Sequence, residues 1–300
     1  MTTHAPAADT TVSATDPDDV PDTSEVRRHP LCGPLDRMPV RYRGPHRLAH
    51  AAWLGFTGRL ERREEIAFVR AATAANQRVL DVGGGTGELT RAIASQVGRC
   101  TTVEPHGSRV ATLNERADDG HTGSIEIIPG QAESLPFPDR AFDAVLAAWV
   151  LPYVDDLEGS VREMARVCDV EHPQARVVLL GGAPDNELVR LLNETCVPLA
   201  DEPHDHQGFL LATAAEILAR HGFRHFSLHR TEAALHFPEI APRERVRVAA
   251  TTLVDLWYED HPRAGDMREA ITPALHHHFA RRPHAIGDQG VALIARPGTP

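Results

Sequence analysis

The sequence contains no lysine, so all 31 of its cationic side chains are arginines. This excludes chemistry built on a Schiff-base lysine, on the phosphate lysine of a P-loop, or on the lysine that a kinase sets against its α/β-phosphates. Cysteine is scarce: Cys32, Cys100, Cys168 and Cys196 stand far apart, with no C-x-x-C pair. That pattern argues against a disulfide framework or a zinc site and fits a reducing compartment. No apolar run reaches the roughly 18 residues needed to span a bilayer. The first thirty residues also lack the apolar stretch of a secretory signal. A cytoplasmic chain with no membrane partner is therefore expected.

Positive charge is in deficit, with 31 arginines against 42 acidic residues and a net charge of −11. A binder of phosphate backbones needs a basic face, so nucleic acid is not an expected partner. What is present is globular: 42% hydrophobic and 24% charged residues in a chain of 300. That length accommodates one large α/β domain with a cap, or two modest domains.

Residues 1–30 read as a disordered tail, rich in Thr, Ala, Pro and Asp, whose removal through Arg27 is expected to leave stability unchanged. Residues 31–77 read as an N-terminal helical lid. Leu48, Trp53, Leu54, Phe56, Leu60, Ile66, Phe68 and Val69 recur there at helical spacing, with a break near Gly55 and Gly58. From Arg78 the pattern changes to short apolar runs at 78–82, 99–103, 125–128, 142–147 and 176–180, separated by helical stretches at 88–96, 108–117 and 157–167. Alternation of this kind predicts a parallel sheet covered on both faces, with right-handed crossovers making it doubly wound. Further strands are expected at 223–229 and 291–296. The proline-rich segment 238–289, with helical stretches at 243–258 and 267–280, is expected to form a cap inserted before the last strand, residues 290–300. The sheet domain itself then covers 78–237.

The strongest motif is Val79-Leu80-Asp81-Val82-Gly83-Gly84-Gly85-Thr86-Gly87-Glu88. Strand, glycines, then helix is the arrangement that places a ligand against backbone N–H groups at a helix N-terminus. A dinucleotide fingerprint would need a third glycine at position 88, which is Glu. Asp81 and Glu88 would repel a pyrophosphate, whereas a ligand with an ammonium group and no phosphate is favoured. Thr102-Val103-Glu104-Pro105 ends the next strand in a carboxylate, suited to a ribose diol. Gly130-Gln131-Ala132-Glu133 follows the third strand and offers an amide or carboxylate beside backbone N–H groups, suited to an adenine edge.

Asp81-x-Gly83-x-Gly85-x-Gly87, Glu104 and Gly130-Gln131-Ala132-Glu133-x-Leu135-Pro136-Phe137-x-Asp139-x-x-Phe142-Asp143 resemble the class I S-adenosylmethionine-dependent methyltransferases. The similarity is to the small-molecule branch that includes the ubiquinone/menaquinone C-methyltransferases. The resemblance implies a Rossmann-like sheet of seven strands with the last one antiparallel. It implies S-adenosylmethionine as cofactor, leaving as S-adenosylhomocysteine. It also implies cofactor contacts from Asp81, Gly83, Gly85, Gly87, Glu104, Pro105, Gln131, Ala132, Glu133 and Ala148. Asp81 and the glycine loop would hold the methionine part, Glu104 the ribose, and the Gln131–Glu133 turn the adenine. The sequence departs from the family twice: Gln131 stands where Asp is usual, and Pro152-Tyr153 where a His pair often follows the fourth strand.

No catalytic group is assigned by this resemblance. On the acceptor side, Trp149 and Tyr153 at the end of the fourth strand are candidates, as are His204 and His206. Trp149 reads equally well as core. No metal site is expected: adjacent His276, His277 and His278 fan out around one helix as exposed surface, and His204-x-His206 lacks a third ligand. The expected function is direct methyl transfer to a small-molecule acceptor, with specialised metabolism as its source. The rival is a non-catalytic or regulatory module that binds the same cofactor. An RNA or protein acceptor is less favoured, and a dehydrogenase is disfavoured by the glycine spacing. Self-association into a homo-oligomer is left open.

Overall fold

A computed structural model describes residues 20–116 and 123–298. Eleven α-helices and ten strands are found among them. In chain order these are α1 (Ser24–Arg28), α2 (His50–Thr57), β1 (Leu60–Glu61), α3 (Arg63–Thr73), β2 (Val79–Val82), α4 (Glu88–Val97), β3 (Arg99–Glu104), α5 (Gly107–Arg116), β4 (Ser124–Pro129) and β5 (Ala144–Ala148). Then follow α6 (Leu157–Val167), β6 (Arg176–Gly182), α7 (Glu187–Thr195), α8 (Val197–Ala200), α9 (Gln207–Arg220), β7 (Phe223–Thr231), β8 (Ala234–His236), α10 (Pro242–Tyr258), α11 (Ala264–Arg281), β9 (Ala285–Gly287) and β10 (Gly290–Pro297).

The central sheet runs β4-β3-β2-β5-β6-β10-β7. β10 lies antiparallel between β6 and β7, so the last strand is the inverted one, as expected. The order reverses between β2 and β5, which opens a crevice at the carboxyl ends of the strands. Near-continuous apolar strands follow from burial on both faces. Leu80, Val145, Val177, Leu179 and Leu293 pack with α6 and α9 on one side. Val79, Ala144, Leu146, Val178 and Leu180 pack with α3 and α4 on the other.

A second core lies over the carboxyl edge. There α7, α10 and α11 meet the small sheet β1-β8-β9 and the partly buried Leu48, Phe56 and Leu60. This divides the molecule differently from the sequence reading. α3, expected in a lid, instead buries Val69 and Ala72 against the main sheet. Residues 187–195, which the expected sheet domain included, form α7 and instead turn Leu188, Leu191 and Leu192 into the cap core.

Residues 1–19 of the expected tail lie outside the described residues. The remainder, 20–30, departs from the expectation. Val26 of α1 is 4% exposed in the main core, and Arg27 pairs with Glu216 of α9 at 2.9 Å. A five-residue helix buries one apolar side chain here, too little for a composition reading to register. Truncation through Arg27 should therefore destabilise the fold, and Val26→Ala alone should cost about 1–2 kcal/mol in urea unfolding. His278 also departs from the surface reading: it is buried, with Nε2 2.8 Å from the Ala285 carbonyl, while His276 and His277 are exposed. Among the described residues, no helix is long and apolar enough to cross a membrane.

Candidate active site

The carboxyl ends of β2, β3 and β5, and the turn after β4, line one cavity of about 270 Å³. The loop from β2 to α4 forms its floor. Gly83 and Gly85 have φ of 77° and 58°, in the left-handed region open to glycine. Gly84 is fixed by crowding, because a Cβ there would lie 2.1 Å from Thr102 Oγ1, which donates to the Asp81 carbonyl at 2.9 Å. Gly87 does not line the cavity, contrary to the sequence reading. It caps α4 at φ 76°, and a Cβ on it would meet Leu113 at 2.8 Å. Its role is to turn the chain.

Asp81 is buried at the end of β2, and burial pushes its carboxyl up to about 6. The Thr90 hydroxyl, which donates to Oδ2 at 2.6 Å, and the charge of Arg62 act in the opposite direction. Glu104 is 1% exposed and aimed back at the glycine loop. It accepts the Gly85 N–H at 3.3 Å and the His106 N–H at 3.2 Å, with an Arg109 nitrogen at 3.8 Å. The Arg109 guanidinium lies over the Trp53 ring, 4.7 Å from its centroid. Pro105, Gln131, Ala132, Glu133 and Ala148 complete this wall. The Glu133 carboxylate is turned to the chain, accepting the Asp155 N–H at 2.8 Å, so Gln131 supplies the free side-chain edge.

Trp149 leaves β5 at φ 59°, an uncommon conformation for a bulky residue, and its indole N–H donates to Glu65 at 2.9 Å. Glu65 has no exposed surface and pairs with Arg62. Arg62 also lines the cavity, and its Nε is buried without a hydrogen-bond partner. Tyr153 lines the opposite wall, its hydroxyl accepting the Trp257 indole N–H at 3.3 Å, and burial pushes it up to about 12.

His204 and His206 do not reach the cavity. His204 is exposed. His206 caps α9, its Nδ1 accepting the Phe209 N–H at 3.2 Å, so helix capping accounts for its polarity. His46, which sequence reasoning passed over, is the buried histidine beside the site. It stacks on Trp257 at 4.0 Å and lies 3.5 Å from Asp205. Arg62, Trp257 and Asp288 were also missed, because each comes from a segment without a motif.

Residues 80–171 match the family model described as a methyltransferase domain. The chain is 34% identical over 188 residues to the ubiquinone/menaquinone biosynthesis C-methyltransferase UbiE of Ectopseudomonas mendocina, covering 59% of this chain and 67% of that protein. It is 35% identical over 125 residues to the protein of the same name from Hahella chejuensis, covering 40% and 49%. The chain thus spans between about half and two-thirds of these relatives, 49% and 67% of their lengths. In solved structures, the YcgJ protein of Bacillus subtilis shares the fold at a TM-score of 0.52 and 19% identity, covering 77% of this chain and 97% of that one. A relative alike over that much of its length, on a doubly wound sheet with β10 inverted, identifies this chain as a member of the class I S-adenosylmethionine-dependent methyltransferases, enzymes whose cofactor is S-adenosylmethionine.

Proposed function

We propose that the cavity holds S-adenosylmethionine beside a small-molecule acceptor and that the chain directs methyl transfer between them. The observation that carries this reading is convergence: Asp81, Glu104 and the Gln131–Glu133 turn, from three separate strand ends, line one cavity with the glycine loop. The residues fit the cofactor. Gly83 to Gly85 let a chain lie on bare backbone, and the guanidinium of Arg62, which lines the cavity, suits a carboxylate while Asp81 suits an ammonium. Each Glu104 oxygen already accepts one backbone N–H and keeps capacity for ribose hydroxyls. Gln131 would meet the adenine edge. When bound, the cofactor supplies a methyl group made electrophilic by its sulfonium, so the protein's work is to align the acceptor and exclude water. Trp53 and Phe56 of α2 and Leu256 and Trp257 of α10 line the cavity for that purpose.

The relatives' names specify quinone biosynthesis. We do not carry that acceptor over: the family match covers residues 80–171, whereas α2 and α10 lie outside it. An intermediate of specialised metabolism is our reading of the acceptor. Adenosylhomocysteine should raise the melting temperature, by about 2.7 kcal/mol of added stability at a hundredfold excess over Kd, while NAD and NADP should not. A larger shift with a dinucleotide would overturn the assignment of the glycine loop. Cofactor binding without release of adenosylhomocysteine across a metabolite panel would favour the non-catalytic module.

A further inference from the structure

One carboxylate in the cavity has no place in the cofactor scheme. Asp288 precedes β10, and Gly290 at the start of β10 pairs with Gly182 at the carboxyl end of β6. It therefore enters the crevice on the far side of β5 from β2, β3 and β4. Asp288 is only 5% exposed. Its Oδ1 accepts the Asn186 amide at 2.7 Å, and its N–H donates to the Ala233 carbonyl at 2.9 Å. Asn186 is itself fixed, capping α7 by accepting the Val189 N–H at 2.9 Å and donating also to the Gln289 carbonyl at 3.0 Å. The carboxylate is thus held rigidly, and one donor contacts one oxygen. The cation whose charge reaches it is Arg62. Around this part of the cavity the wall is apolar or aromatic: Leu188 and Val189 follow the Asn186 cap, with Leu256, Trp257 and Tyr153 lining the same space.

A buried carboxylate short of donors is unfavourable unless something hydrogen-bonds to it. Resting on the reading that the cofactor occupies the β2–β4 side, we infer that Asp288 is the acceptor-recognition residue. It receives the O–H or N–H of the methyl acceptor, which is consequently a hydroxylated or amino-bearing aromatic rather than a molecule with only carbonyl or ether oxygens. An acceptor lacking that donor leaves the second carboxylate oxygen without a partner, and such sites reject the deficient analogue strongly.

The test uses the whole chain saturated with adenosylhomocysteine, titrated calorimetrically with 2-naphthol and with its methyl ether, 2-methoxynaphthalene. Wild type should bind naphthol at least tenfold more tightly than Asp288→Asn does, whereas the ether should bind both equally. Adenosylhomocysteine affinity should agree within twofold between the two proteins. Equal naphthol affinity in both, or no naphthol binding to wild type, overturns the inference. So does a tenfold loss of adenosylhomocysteine affinity in Asp288→Asn, which would place Asp288 on the cofactor. Failure of adenosylhomocysteine to bind wild type would instead sink the cofactor reading. Should Asp288→Asn not fold, Asp288→Ser carries the same comparison.

Discussion

Arg62→Ala should be the most damaging single substitution at this site, lowering stability by about 3–5 kcal/mol in denaturant unfolding. Glu65 has no exposed surface, and Arg62 is the cation paired with it. Removing the guanidinium leaves a charged carboxylate in the interior with only the Trp149 indole N–H, at 2.9 Å, to stabilise it. The loss reflects a stranded charge, so removing both members should cost less than removing one. Arg62→Met combined with Glu65→Leu should therefore recover part of the stability, measured as a double-mutant cycle. Adenosylhomocysteine affinity should stay depressed in that double variant, because the guanidinium proposed to meet its carboxylate is still missing. Full recovery of binding there would show that Arg62 supports the wall without touching the ligand.

Glu104→Gln should weaken adenosylhomocysteine about tenfold or more, since hydrogen bonds to a charged acceptor contribute roughly 1.5–3 kcal/mol and each 1.4 kcal/mol is a factor of ten. Glutamine keeps one acceptor oxygen but presents an amide donor to a hydroxyl or to a backbone N–H. The geometry sharpens the expectation: the carboxylate oxygens accept the Gly85 and His106 N–H groups at 3.3 and 3.2 Å. The amide must face one of these donors, which pushes part of the loss into the loop itself. The fold should survive, since Glu104 is a strand-end group facing the crevice. Calorimetric titration of the folded variant is the measurement, and unchanged affinity would remove the ribose assignment.

The sheet was legible because its strands alternate between two buried faces. The runs around Leu80, Val145 and Leu179 admit no solvent-facing reading. Asp81, Glu104 and Gln131 were legible because each ends or follows a strand, where residue type and position coincide. α7 was not read, although Asn186 followed by Leu188, Val189, Leu191 and Leu192 carries both a cap and helical spacing. Arg62 and Asp288 gave no local signal, since an arginine before a helix and an aspartate before a strand are ordinary at a surface. Only the fold, by bringing β1 and β9 over the carboxyl edge, buries them. The pair His204 and His206 misled for the converse reason: both were placed toward the acceptor, but His206 spends its Nδ1 on capping α9 and His204 is exposed.

Trp53, Trp149 and Trp257 are the chain's three tryptophans, and all of them line the cavity. Indole emission from this protein, excited where tyrosine does not absorb, is therefore a signal from the site alone. The three emitters differ in surroundings: a guanidinium over Trp53, a carboxylate on the Trp149 N–H, and an imidazole stacked on Trp257 as a contact quencher. Single Trp→Phe variants would divide the spectrum by position, so that a ligand entering near Glu104 and one entering near α10 each carry their own optical signature without any label.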